Sequence, residues 1–125
     1  MILDTNALSA FADADRNLLA ALPSDRPWAL PVVVIGEYRF GLLGSREAEE
    51  RERWLSGLIR TVRVLSITEN TAGYYAAVRH TLRQQRRRIP PNDSWIAALA
   101  FEHRLPVLTR DAHFENIPNL DRRRW

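Results

Sequence analysis

The chain predicts an α/β domain with a mostly parallel central sheet, and three observations point there. Short apolar runs at residues 1–3, 28–30, 62–67 and 106–109 alternate with longer stretches of helical periodicity, which is the order of a strand–helix–strand repeat. Acids stand just past two of those runs, Asp4 after Ile2-Leu3 and Asp111 soon after Val107-Leu108. Parallel sheets gather ligands beyond the carboxyl ends of their strands, so both acids should face such a crevice. At 125 residues the chain suits one sizeable core, and a single domain over 1–125 is expected, with a polar tail from about 119.

The elements follow in order. Met1-Ile2-Leu3 reads as a short buried strand. Asp4-Thr5-Asn6 then turns into a helix carrying Leu8 and Phe11, and residues 17–22 form a second short helix stopped by Pro23. Residues 28–30 supply the next strand. Pro31 is expected to open a helix, because a first-turn proline gives up no hydrogen bond, and Gly44-Ser45 to end it after about Leu43. Residues 46–58 form an amphipathic helix in which Trp54, Leu55, Leu58, Ile59 and Val62 recur at helical spacing. Its other face carries Glu47–Arg51 and Glu49–Arg53 in the favourable acid-first i,i+4 order. Residues 62–67 return to strand. Ser66 or Thr68 caps a long helix expected to bury Ala72, Tyr75, Ala76 and Leu82 and to end in Arg86-Arg87-Arg88. Pro90-Pro91 breaks the chain, a helix runs from about Asn92 to His103, and residues 106–109 are strand again. The tail has no strand pattern, and there is no internal repeat, linker or low-complexity segment.

Composition narrows the chemistry. With no cysteine, disulfides, thiol nucleophiles and thiolate zinc sites are excluded. All 18 basic residues are arginine, so a P-loop lysine and Schiff-base or lysine-base mechanisms are closed as well. Arginine is well suited to phosphate, and a formal charge of +3 with a pI near 10.1 is compatible with a polyanionic partner. No basic segment followed by an apolar stretch opens the chain, and no run reaches membrane-spanning length, so a cytoplasmic protein with no membrane partner is expected.

Asp4, Glu37, Asp93 and Asp111 are acids beside apolar segments. A carboxylate removed from water needs a cation, a donor or a proton, and several that converge repel one another unless a metal ion holds them. Singly, Asp4 and Asp111 are explained as well by turn or cap roles, and Asp93 by the dipole of the helix it precedes. Glu37 is harder to explain away: on a helix its neighbours are Val33, Val34, Phe40 and Gly41, and an ordinary surface Glu shares its face with polar residues.

Such a set of hard oxygen ligands suits Mg²⁺ or Mn²⁺. Zinc is disfavoured, since His80, His103 and His113 show no metal-ligand spacing and read as surface or capping groups. An acidic pocket with such a cation in a basic protein points to phosphodiester chemistry. Arg86, Arg87 and Arg88 fit a solvated helix end, or a hold on a phosphate backbone if the acids converge. Arg122-Arg123-Arg124 is expected to be solvated tail. Trp28, Trp54 and Trp95 read as core residues, and Trp125 is unassigned.

The segments Met1-Ile2-Leu3-Asp4-Thr5-Asn6, Gly36-Glu37, Pro90-Pro91-Asn92-Asp93-Ser94-Trp95-Ile96-Ala97-Ala98 and Leu108-Thr109-Arg110-Asp111-Ala112-His113-Phe114 resemble those of PIN-domain ribonucleases. In length and order the chain is most similar to the VapC-type toxins of bacterial type II toxin–antitoxin modules. The resemblance implies a three-layer α/β/α fold and an endoribonuclease that uses Mg²⁺ or Mn²⁺ to cleave single-stranded regions of RNA. It implies that Asp4, Glu37, Asp93 and Asp111 are the catalytic acids. Asp4, Asp93 and Asp111 would hold the principal ion, and Glu37 would orient the attacking water or a second ion. Thr109 matches the hydroxyl position that accompanies the last acid, and Asn6 and Asn92 would help shape the pocket. The resemblance further implies a homodimer and a VapB-type antitoxin whose tail blocks the pocket and whose other end binds promoter DNA. One departure is the polar Asp121-Arg122-Arg123-Arg124, which suggests that the family's final strand is lost or frayed.

Rival readings fail on single residues. A phosphoacceptor receiver domain needs a partner lysine, and a haloacid-dehalogenase-type phosphatase needs an aspartate where Asn6 stands. A non-catalytic RNA- or protein-binding PIN relative, with acids that bind only structural metal, is the remaining alternative.

Overall fold

The computed structural model describes residues 1–24 and 27–125. Its strands are β1 Ile2–Leu3, β2 Ala29–Pro31, β3 Arg63–Leu65, β4 Val107–Leu108 and β5 Arg122–Arg123. They pair in parallel in the order β3–β2–β1–β4–β5. Between β1 and β2 run α1 Thr5–Ala12 and α2 Arg16–Ala21. α3 Val32–Leu42 and α4 Ala48–Ile59 join β2 to β3, and α5 Glu69–Gln84 and α6 Pro91–His103 join β3 to β4. Helices flank the sheet in the three-layer α/β/α arrangement that the resemblance implied.

The strands are short, yet the central ones need no length to be stable. Ile2, Leu3, Ala29, Leu30, Val107 and Leu108 are all essentially inaccessible, the continuous apolar pattern of strands covered on both faces. Ile2 stands opposite both Ala29 and Val107, and Leu3 opposite Leu108. The chain lays β2 and β3 to one side of β1, then crosses back to place β4 and β5 on the other. The β1/β4 seam is therefore the reversal point, and the crevice outside its carboxyl ends is where such sheets bind ligands.

α6 is the central helix. Ser94 and Ile96 through Ala100 are all buried, because Ser-Trp-Ile-Ala-Ala-Leu-Ala is apolar or small on every side. α5 packs against it through a Tyr75–Trp95 stack with ring centroids 3.8 Å apart. A second tie runs from the Thr71 hydroxyl, which donates to Glu102 at 2.6 Å. The expected face of α5 needs correction: Thr71, Val78 and Leu82 are buried, whereas Ala72 and Ala76 are exposed. Small alanines do not mark a face by themselves, and the i, i+7, i+11 spacing of 71, 78 and 82 outweighs them. Thr68 is the cap, in a reciprocal box with Thr71.

Two further expectations change. Pro31 ends β2 and serves as the N-cap residue of α3 instead of its first helical residue. The C-terminal strand is present: β5 pairs with β4, with Val107 donating to the Asp121 carbonyl and Thr109 to that of Arg123, both at 2.9 Å. The tail arginines are also partnered, Arg122 and Arg124 with Glu115 and Arg123 with Asp121. Backbone pairing and ion pairs hold this strand at the sheet edge, and neither shows as apolar alternation.

Trp28 and Trp54 pack edge-on to Phe11 at 5.0 and 5.6 Å, as core residues should. The Glu47–Arg51 pair forms at 3.0 Å, and Arg51 also reaches Asp13 at 2.8 Å. Trp125 packs partly buried against the core under the Arg110 guanidinium. Among the described residues no helix is long and apolar enough to cross a membrane.

Candidate active site

Asp4 leaves the end of β1 and becomes the N-cap of α1, its Oδ1 accepting from the Ala7 amide at 2.7 Å. Only 2% of the residue is exposed. Its other oxygen accepts from the hydroxyl of Thr109, which directly follows β4 and is fully buried. The same hydroxyl accepts from the Asp111 amide at 2.9 Å. One threonine thus joins the two acids that end neighbouring strands. Asp111 in turn caps the 3-10 turn Ala112–Asn116 by accepting from His113 N–H at 2.8 Å. The cap roles considered for Asp4 and Asp111 are real, and they coexist with convergence on one crevice.

Asp93 enters from the first turn of α6 and Glu37 from the middle of α3, both half-buried. The Glu37 helix face is only partly buried: Val34 is inaccessible, but Phe40 is 78% exposed. Even so, among the described residues Glu37 Oε1 is buried with no hydrogen-bond partner, and so is Asp93 Oδ2. Thr5 and Ser94, which follow Asp4 and Asp93 in sequence, carry buried unpartnered hydroxyls as well. Unpaired polar atoms of this kind are costly in a finished core and mark a place where something else binds.

Electrostatics agree with the packing. Burial pushes the Asp4 carboxyl up to about 6, against the Thr109 and Ala7 hydrogen bonds, and the charges of Asp111 and Glu37 add to the rise. Burial likewise pushes Asp93 up to about 6, with Asp111, Glu37 and Asp4 contributing and His113 opposing. Asp4 and Asp93 therefore both feel the charges of Asp111 and Glu37. A divalent cation would relieve both the burial and the repulsion, so the residues present fit one.

His113, expected from the sequence to be a surface or capping group, is exposed but stands among the acids. Its Nδ1 lies 2.9 Å from Asp111 Oδ1 and 3.5 Å from Asp93 Oδ2. One ligand atom each from Asp93, Asp111 and His113 falls within 4.8 Å of the others, so these three can hold an ion, with Asp4 adjacent. The available signal was local: His113 lies two residues after Asp111, within the turn that Asp111 caps. Asn6 and Asn92 stand exposed in the first turns of α1 and α6, and among the described residues neither bonds to the acids. Arg86, Arg87 and Arg88 are exposed just before α6.

A parallel sheet that gathers four carboxylates and a histidine at its reversal point defines a class, an α/β domain with a pocket suited to a divalent cation. Residues 1–120 match the PIN domain, and the chain belongs to that family, in its VapC ribonuclease group. It is 35% identical over 96 residues to Ribonuclease VapC4 of Mycobacterium tuberculosis, spanning 75% of this chain and 74% of that protein. With Ribonuclease VapC5 of the same organism it shares 35% identity over 115 residues, 90% of this chain and 84% of the relative. It also matches a chain in the crystal structure of VapBC2 from Rickettsia felis bound to a DNA fragment from their promoter. There the TM-score is 0.85 at 25% identity, covering 99% of this chain and 97% of that one.

Proposed function

We propose that this chain is a metal-dependent endoribonuclease, the toxin of a type II toxin–antitoxin module, formed by one PIN domain spanning 1–125. The observation that carries the reading is the convergence of Asp4, Glu37, Asp93 and Asp111, with buried carboxylate oxygens on Glu37 and Asp93 that accept no hydrogen bond among the described residues. Asp93, Asp111 and Asp4 would hold Mg²⁺ or Mn²⁺, with His113 beside them. A cation bound there supplies a Lewis acid that acidifies water and neutralises charge on a scissile phosphate. Glu37 would orient the attacking water or a second ion. Thr109 keeps Asp4 ionised by donating to it. Asn6 and Asn92, at the exposed ends of α1 and α6, would shape the mouth of the pocket.

VapBC complexes among the structural relatives support an antitoxin partner whose tail closes the pocket. DNA would be reached only through that antitoxin. The working form is a cytoplasmic homodimer that cleaves RNA and arrests growth.

The test is to induce the chain in a bacterial host beside Asp4→Asn and to map new RNA 5′ ends across the transcriptome. Discrete ends seen only with the wild type support the reading and name the substrate. Identical maps from two soluble, folded proteins would overturn it in favour of a non-catalytic module.

A further inference from the structure

Along α5 and the segment that leads into α6 lies an open groove of about 780 Å³ with a pronounced charge. Arg79 and Arg83, one turn apart on α5, form one side together with His80. Arg86, Arg87 and Arg88 continue the lining, and no carboxylate takes part in it. Among the described residues none of these five arginines makes an ion pair, whereas Arg39, Arg51, Arg122, Arg123 and Arg124 all do. The lining ends at Pro91, the first residue of α6 and two residues before Asp93.

The groove is also held in place. Arg79 lies over the Tyr75 ring and donates to its hydroxyl at 2.9 Å. Tyr75 stacks on Trp95, which is on the helix that carries Asp93. Arg87 donates to the Asn116 side chain. Leu82 and Ile89 are buried and anchor the floor. Two residues past the last residue of α5, Arg86 sits in the left-handed region at φ 55°, with Arg87 N–H bonded to the Leu82 carbonyl at 2.9 Å. Glycine is the favoured residue at that position of such a helix end.

Resting on the nuclease reading above, we propose that this groove binds the phosphodiester backbone of single-stranded RNA and leads it to Asp93. Guanidinium forks recognise phosphate oxygens in pairs, and a row of them free of internal carboxylates is available to a polyanion. Backbone contacts of this kind position a strand without reading its bases.

The experiment uses the full chain in EDTA, so that binding is read without cleavage. The probe is a fluorescein-labelled 20-nucleotide oligouridine, followed by anisotropy across a salt series. Arg79→Gln with Arg83→Gln should weaken binding by about tenfold or more and flatten the slope of log K against log salt by about 0.7 per lost contact. Arg86→Gly should weaken binding while leaving or raising the melting temperature, which separates lost charge from lost fold. A control with Arg46→Gln and Arg53→Gln, exposed arginines outside the groove, should change little. Unchanged binding and slope in the groove variants would overturn the groove and leave the nuclease reading standing. Equal losses in the control, or tighter binding of a duplex of the same length, would overturn it too. A wild-type chain that binds no oligouridine at low salt also overturns the groove, and the 5′-end map then decides separately on catalysis.

Discussion

The hydroxyl of Thr109 donates to the carboxylate of Asp4 across 105 positions of chain, joining the ends of β4 and β1. Because the same oxygen accepts from the Asp111 amide, this one side chain sets the spacing of two acids. Thr109→Val keeps the shape and removes the donor, which leaves Asp4 harder to ionise and Asp111 N–H without its partner. Cleavage and Mn²⁺ affinity should each fall about 10–100-fold, and stability by about 1–3 kcal/mol. Thr109→Ser should recover most of both. Titration with Mn²⁺ and thermal melts of the three proteins check this, and full activity in Thr109→Val would remove Thr109 from the site.

The tail reaches the site through the sheet. Thr109 N–H donates to the Arg123 carbonyl, so β5 helps to fix the residue that holds Asp4. Ending the chain after Asn119 should lower the melting temperature and reduce cleavage together. Arg123→Ala, which keeps the backbone bond, should spare cleavage. A truncated chain with wild-type activity would show that β5 is only an edge.

Acid pH should stabilise the metal-free pocket. Burial pushes Asp4 and Asp93 each up to about 6 in the fold, against an ordinary 3.8. Between these values the folded state keeps protons that the unfolded chain has released, so this contribution to stability falls as pH rises from about 4 to 6. Keeping Asp4 ionised above that range costs up to about 3 kcal/mol. In EDTA, the wild type should therefore lose stability relative to Asp93→Asn over this window, and Asp93→Asn should melt a few degrees higher at pH 7.5. Mn²⁺ at pH 7.5 should raise the wild-type melting temperature and abolish that advantage. Cleavage by Asp93→Asn should fall by more than about a hundredfold. Parallel melting curves for the two proteins from pH 4 to 7.5 would show that Asp93 is not under this strain.

His113 gives a separate test, because 48% of its side chain is exposed. His113→Ala should leave the melting temperature in EDTA within a degree or two, while weakening Mn²⁺ binding about tenfold. Unchanged Mn²⁺ affinity by calorimetry would make it a bystander that only neighbours Asp111.

Much of the architecture could be read along the chain because the signals were local. Apolar runs marked the first four strands, Pro23 and Pro90-Pro91 punctuated the helices, and the PIN segments surrounded Asp4, Glu37, Asp93 and Asp111. The face of α5 was misread because alanine packs as readily at a surface as in a core. β5 was missed because its stability comes from β4's backbone and from Glu115 and Asp121, and none of these leaves a hydrophobic pattern in Arg122-Arg123-Arg124.

The sequence by itself determined which chemistry is available: no thiol, no lysine, and carboxylates beside apolar segments. Only the tertiary structure decided how those groups meet. The reversal of strand order puts Asp4 beside Thr109 and Asp111, α3 and α6 bring in Glu37 and Asp93, and the turn after Asp111 adds His113. Carboxylate energies depend on burial and on charges a few ångströms away, and residues distant in the chain set both.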